Sequence, residues 1–188
     1  MAATEQQQMT CDIAIIGGGV AGLWLLNRLV RKGYNAILFE KNALGSDQTV
    51  ASQGMIHGGM KYTLNGALTG ASEAIAEMPT HWQQCMAGHG DVDLKGAAKL
   101  SDHFYMWSST SVLSKMTTFL ASKAARGRIN KVPKDDLPPI FQNNQFKGSV
   151  YKLLDIVLDV PSVVKVLANN YLGRIFKINW EKTQWRKD

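Results

Sequence analysis

The sequence predicts an α/β fold that opens with a βαβ unit. Three observations carry that expectation. A β-branched run, Ile13 to Ile16, leads directly into Gly17, Gly18, Gly19 and Gly22. A helical pattern follows from Val20 to Lys32 and stops at Gly33. A second apolar run, Asn35 to Phe39, then ends on an acid, Glu40.

Each element has a mechanical reason. Ile13 to Ile16 is short and β-branched, as a buried strand requires. Gly17, Gly19 and Gly22 fit G-x-G-x-x-G. The first glycine permits the tight turn out of the strand, the second leaves room for a pyrophosphate at the backbone, and the third lets the helix pack close to the strand. The helix is expected to place Leu25, Leu26, Leu29 and Val30 on one face. Its N-terminus offers N–H groups and partial positive charge to phosphates. Glu40, eighteen residues beyond Gly22, is placed to accept hydrogen bonds from both hydroxyls of an adenosine ribose. A carboxylate there also disfavours a 2′-phosphorylated cofactor, since two anions repel. A glycine triplet alone is weak, because any α/β turn can use glycines; the flanking strand, helix and acid strengthen it.

This opening does not separate NAD from FAD. The next stretch, "KNALGSDQTVASQGMIHGGMKYTLNG", is too rich in Gly, Ser, Thr and Asn for a plain crossover helix. That counts against an NAD-linked dehydrogenase and suits a backbone lying close to something flat and large. Together, "DIAIIGGGVAGLWLLNRLVRKGYNAILFEK" and "TVASQGMIHGGMKY" resemble the FAD-dependent oxidoreductases of the D-amino-acid oxidase type. That group includes glycine and sarcosine oxidases, 2-hydroxyglutarate dehydrogenases and flavin-linked glycerol-3-phosphate dehydrogenases. "HGGMKY" is most similar to the last of these, which tilts the expectation toward a hydroxyl-bearing substrate.

The resemblance implies a Rossmann-like FAD-binding domain with part of an α+β substrate domain. Gly17, Gly18, Gly19 and Gly22 would hold the FAD pyrophosphate. Glu40 would take the adenosine ribose, with Lys41 beside it. Ser52, Gln53 and Gly54 would line the pyrophosphate and ribityl chain, and His57, Gly58 and Gly59 would lie by the isoalloxazine ring. His57 has three readings: covalent attachment of the flavin, a neutral imidazole orienting the ring, or a structural residue. His57 and Lys61 are the only local candidates for a catalytic role. In domain terms, residues 1–90 form the first part of the FAD-binding domain, 91–149 a partial substrate domain, and 150–188 the return to the FAD-binding domain.

The remainder of the chain reads as follows. Leu68, Ala71, Ile75, Met78, Trp82 and Met86, spaced 3, 4, 3, 4 and 4 apart, make one helix face with a kink at Pro79. His81 and Cys85 fall beside this stripe and need no function. Val92 to Leu94 and Ala98 to Trp107 read as strands, and Ser111 to Ala125 as a helix. Residues 126–149 have no period and contain Pro133, Pro138 and Pro139, the pattern of a loop. Val150 to Val160 is a strand entering a helix whose first turn takes Pro161. Val163, Val164, Leu167, Ala168 and Tyr171 form that helix's buried face, and Gly173 closes it. "RIFKINW" alternates as a strand.

Composition narrows the partners. The 188 residues are 45% hydrophobic and 19% charged, with a net charge of +6. The basic clusters near Arg126, Arg128, Lys131 and Lys134, and at Lys182, Arg186 and Lys187, suit a solvated surface, an anionic substrate or lipid headgroups. No basic stripe interleaved with aromatics points to nucleic acid. Cys11 and Cys85 make no CxxC pair, as expected of a reducing, cytoplasmic setting. Residues 13–30 are too interrupted for a membrane span. The histidines at 57, 81, 89 and 103 show no i, i+4 spacing among themselves, so no metal is expected.

The resemblance covers the N-terminal part of the family fold, so a truncated chain is expected. The leading expectation is the N-terminal portion of an FAD-dependent oxidoreductase acting on a small molecule, at a C–H beside an amine or a hydroxyl. The alternatives are a catalytically inactive flavin-fold remnant, or one subunit of a split oxidoreductase completed by a C-terminal chain.

Overall fold

Parallel pairing of the first two strands sets the frame of the chain. The structure is a computed structural model that describes residues 9–58, 75, 77–108, 129–153 and 155–184. In chain order the strands and helices are β1 (Ile13–Ile16), α1 (Val20–Arg31), β2 (Ala36–Glu40), β3 (Met55–Ile56), α2 (Met78–Met86), β4 (Lys99–Ser101), β5 (Phe104–Ser108), β6 (Ile129–Lys131), β7 (Ser149–Leu153), β8 (Ile156–Leu158), α3 (Val160–Asn169) and β9 (Ile175–Lys177).

The described residues form three small sheets. The first is parallel, in the order β1-β2-β9, with Ile13 opposite Ala36 and Leu38 opposite Ile175. The second is antiparallel, in the order β3-β8-β4, and the third is antiparallel, in the order β5-β7-β6. The main apolar core joins β1, β2, α1, β8 and α3, and takes in Cys85, Val92 and Leu94. A smaller cluster, Tyr151 and Leu153 with Phe104, Met106 and Ile129, packs the third sheet.

Local signals explain the two long-range helices. α1 follows β1 through the glycine turn and stops where Gly33 adopts φ +89°. α3 begins at Asp159, whose carboxylate caps the N–H of Ser162 at 3.0 Å, with Pro161 in the first turn. Val163, Val164, Leu167 and Ala168 are its buried face. The two helices are stitched by a buried amide. Asn27 Nδ2 donates to the carbonyls of Leu23 and Leu167, each at 2.9 Å, and Asn27 Oδ1 accepts from Asn170 Nδ2 at 2.9 Å. Burying this polar residue is tolerated because all these groups are satisfied.

Several elements differ from the sequence expectation. α1 buries Leu23, Leu26 and Asn27, and Leu25 is 45% exposed. The inward stripe must serve both sheet and α3, which rotates it toward 23, 26, 27 and 30. β1 buries only Ile15 fully; Ala14 and Ile16, the alternating positions, are exposed. Pro79 sits in the first turn of α2, where its missing N–H costs nothing, so it opens that helix.

Val92 and Leu94 are fully buried but unpaired as a strand; the Leu94 N–H donates to the Cys85 carbonyl at 3.0 Å instead. The expected strand from Ala98 to Trp107 is broken into β4 and β5 at Asp102 and His103, where Ser101 Oγ donates to the His103 carbonyl at 2.6 Å. The presumed loop 126–149 contributes β6, and its prolines introduce two short 3-10 turns, Lys134–Asp136 and Pro139–Phe141. In "RIFKINW" only Ile175–Lys177 is strand, and Trp180 starts a 3-10 turn. The helix expected over 111–125, and the stripe positions Leu68 and Ala71, lie outside the described residues.

The rotated face of α1 is directly measurable. Leu23→Ala is expected to destabilise the chain by about 2–5 kcal/mol, since it leaves a cavity in the main core. Leu25→Ala is expected to change stability by about 0.5 kcal/mol or less. Urea denaturation of the two variants against the parent checks this; equal losses would return Leu25 to the core.

Candidate functional site

The glycine turn between β1 and α1 is built by close backbone contacts. Gly17, at φ +106°, donates its N–H to the Phe39 carbonyl at 2.8 Å, extending the β1–β2 pairing by one step. Gly22 packs so tightly that a Cβ there would lie 1.9 Å from the Gly17 carbonyl oxygen. Any side chain at 22 therefore pushes α1 off the strand, which is the helix-packing role of the third glycine.

Glu40 sits at the tip of β2 and is laced to this turn. Its Oε2 accepts from the Gly18 N–H at 2.6 Å, and its Oε1 accepts from the Asn42 N–H at 2.7 Å. The Asn42 and Gly18 N–H groups hold its carboxyl below the ordinary glutamate range, outweighing partial burial. A carboxylate has about four acceptor positions, so these two bonds leave lone pairs for hydroxyl donors. Sequence reasoning foresaw Glu40's position but not its backbone partners.

The segment from Lys41 to Ser52 folds back over the turn. Leu44 packs against Gly18, Gly45 donates its N–H to the Gly18 carbonyl at 2.9 Å, and Thr49 Oγ1 accepts from the Val20 N–H at 3.0 Å. Lys41, Ser52 and Gln53 are exposed, and Ser52 Oγ donates to the Thr49 carbonyl at 2.7 Å. Gly54 is buried at φ +66°. Its carbonyl accepts from the Leu158 N–H at 2.9 Å, and a Cβ would lie 2.2 Å from the Leu158 carbonyl oxygen. The contact with β8 thus already requires a glycine here, apart from any cofactor.

A cavity of about 670 Å³ runs from this segment to β5. Val20 and Thr49 lie at its turn end, Ser52 to His57 along one wall, and Phe104 to Trp107 along another; Trp82 of α2 also lines it. His57 is half-buried in that wall, and the neighbouring Gly58 N–H donates to the buried Asp155 Oδ2 at 3.4 Å. The sequence motif marked one wall, but Thr49, Asp155 and the aromatic β5 wall carry no short motif of their own. Gly59 and Lys61 lie outside the described residues.

A second cluster joins residues to which the sequence assigned no function. His81 Nε2 lies 2.9 Å from Asp91 Oδ1, and Cys85 Sγ lies 3.5 Å from the same oxygen. Asp91 Oδ2 pairs with Arg28 Nε at 3.1 Å and accepts from Trp24 Nε1 at 3.3 Å. Burial opposes charge on Asp91, but hydrogen bonds from Trp24 and Cys85 with the His81 and Arg28 charges hold its carboxyl low. Burial pushes the Cys85 thiol up.

The parallel βαβ opening is followed by antiparallel sheets in a mixed α/β architecture. Residues 12–173 match the FAD dependent oxidoreductase (DAO) family, and the chain belongs to it. It is 50% identical over 162 residues to a probable FAD-dependent oxidoreductase of Pseudomonas aeruginosa, covering 86% of this chain and 41% of that protein. A crystal structure of an FAD-dependent oxidoreductase from the same organism superposes with a TM-score of 0.66 at 41% identity, over 87% of this chain and 38% of the other. Glycine oxidase from Bacillus cereus superposes with a TM-score of 0.67 at 18% identity, over 89% of this chain and 46% of the other. L-α-glycerophosphate oxidase from Mycoplasma pneumoniae, with FAD bound, gives 0.63 at 17% identity, over 90% and 45%. These last two show the fold alone. The chain therefore spans less than half the length of these relatives. Among the described residues no helix is long and apolar enough to cross a membrane.

The lacing of Glu40 carries a pH signature. Its carboxyl is lowered in the folded chain, so its contribution to stability is complete above the ordinary glutamate pKa. That contribution is lost as the pH falls through the lower, folded value. The stability advantage of the parent over Glu40→Gln is expected to hold at neutral pH and shrink in acid, as read from urea denaturation over a pH series. A difference that grows in acid would contradict the direction.

Proposed function

We propose that this chain holds FAD in an oxidoreductase that takes a hydride from a C–H bond beside an amine or a hydroxyl of a small molecule. The carrying observation is the juxtaposition of the α1 N-terminus and the Glu40 carboxylate, brought together by the Gly18 contact at 2.6 Å, with a cavity that begins at Val20 and Thr49. Bound FAD supplies the redox chemistry, accepting the hydride and passing electrons to oxygen or a quinone.

The chain's own residues bind and position. The backbone of Gly17, Gly18, Gly19 and Gly22 and the helix N-terminus take the diphosphate, where the helix dipole favours an anion. Glu40 accepts from the ribose hydroxyls, with Lys41 at the exposed rim. Ser52, Gln53 and Gly54 follow the ribityl chain. His57, Gly58 and Gly59 are the residues we assign to the flavin ring, with His57 orienting it by hydrogen bonding; His57 and Lys61 are the candidates for a catalytic role. The mostly apolar cavity walls keep water from the ring, which strengthens the few polar contacts inside.

The domain division accompanies this reading. Residues 1–90 and 150–188 would make up the FAD-binding part, supported by the pairing of β2 with β9 from the far end of the chain. Residues 91–149 would be the substrate part. The relatives carry more than half of their length outside the matched segment. We assign much of the substrate grip to such sequence, on the same polypeptide or on a complementing one.

Absorbance spectroscopy and titration test the reading. The purified chain is expected to show the bands of oxidised flavin or to bind added FAD. Glu40→Ala is expected to weaken that binding by roughly 10- to 100-fold, the loss of charge-assisted hydrogen bonds. A colourless chain that ignores FAD would favour an inactive flavin-fold remnant. Preference for NADH over FAD would favour an NAD-linked dehydrogenase. Acid precipitation is expected to release the yellow colour to the supernatant; colour kept in the pellet would mean covalent attachment, with His57 the first position to examine.

A further inference from the structure

His81, Cys85 and Asp91 converge on one point outside the flavin site. His81 and Cys85 are one helical turn apart on α2, which puts their side chains on the same face. Asp91 returns to that face from the segment after α2. The same three atoms define every edge of the triangle they form. Nε2 to Oδ1 is 2.9 Å, Sγ to Oδ1 is 3.5 Å, and Sγ to Nε2 is 3.9 Å.

These edges are close to those of a tetrahedral metal site. Zinc binds sulfur at about 2.3 Å and nitrogen or oxygen at about 2.0–2.2 Å, so its ligand atoms stand roughly 3.3–3.6 Å apart. The donor set, one thiolate, one imidazole and one carboxylate, is borderline-soft and suits zinc over magnesium or calcium. Supporting contacts hold the carboxylate in a ligating orientation. Arg28 Nε and Trp24 Nε1 both engage Oδ2, at 3.1 and 3.3 Å, and turn Oδ1 toward the imidazole and the thiol. Cys85 is fully buried, whereas the His81 and Asp91 side chains are 35% and 25% exposed, so an ion has an approach from their side.

We propose that His81 Nε2, Cys85 Sγ and Asp91 Oδ1 bind one zinc ion, with water as the fourth ligand. The sulfur–metal bond replaces the S–H bond, and the displaced proton leaves to solvent. Thiolate and carboxylate together neutralise the divalent charge, and Arg28 remains outside on Oδ2. The ion ties α2 to the segment 91–94, whose Val92 and Leu94 are in the main core. Because Trp82 of α2 lines the cavity, the same tie steadies one cavity wall.

The test uses the purified full chain after EDTA treatment, titrated with zinc chloride by calorimetry and with cobalt chloride by absorbance. One equivalent of zinc is expected to bind and to raise the thermal midpoint. Cobalt is expected to give the red d–d bands of a four-coordinate site, at longer wavelengths than flavin absorbs, with a thiolate charge-transfer band. His81→Gln, at a partly exposed position, is expected to fold as the parent does in EDTA but to lose the zinc-dependent rise. Cys85→Ser is expected to lose the charge-transfer band, and Arg28→Met to weaken binding by about 10- to 100-fold. No stoichiometric binding, or binding that His81→Gln leaves unchanged, would overturn the proposal. Failure of zinc binding leaves the proposed FAD site standing, since none of the three ligands belongs to the glycine turn or lines the cavity.

Discussion

The closeness of α1 to β1 is the constraint on which the rest depends. With Gly22 against the Gly17 carbonyl, the helix begins hard against the strand's end. Glu40 then reaches the Gly18 N–H and closes the turn. A carboxylate so near a helix N-terminus is favoured electrostatically, and the same field favours a diphosphate. One local contact thus sets the Glu40 carboxylate beside the glycine turn, the pairing on which the proposed diphosphate and ribose contacts rest.

The larger architecture extends that site into a cavity. The segment after β2 covers the turn through Leu44, Gly45 and Thr49, then passes β8 at Gly54 so closely that backbone meets backbone. β8 runs into α3, and α3 is fastened to α1 by the Asn27 amide. The turn, the cavity wall and the core are therefore mechanically continuous. A flat cofactor with one end at the turn would extend along that wall toward the aromatic side chains of β5.

Much of this was legible in the sequence because its signals are local. Gly17, Gly19, Gly22 and Glu40 act within one βαβ unit, so spacing alone locates them. Pro161 and the apolar spacing of α3 likewise announce a helix that the structure contains. What could not be read depends on distant neighbours. Leu25 and Leu23 are both apolar on a helix, and only the position of α3 decides which faces inward. Val92 and Leu94 look like strand residues, but a hydrogen bond to the end of α2 decides their backbone. The aromatic wall at β5 is a wall only because β5 faces the 52–57 segment across the cavity. His81 and Cys85 are four apart in sequence; their convergence with Asp91 emerges only when the chain turns back after α2.

We propose that a dinucleotide is gripped where α1 starts and where β2 ends. Hydrogen–deuterium exchange of the chain with and without FAD tests it most directly. Added protection is expected only in peptides spanning residues 17–23, 40–45 and 52–58. Protection that leaves 17–23 and 40–45 unchanged while appearing elsewhere would contradict it.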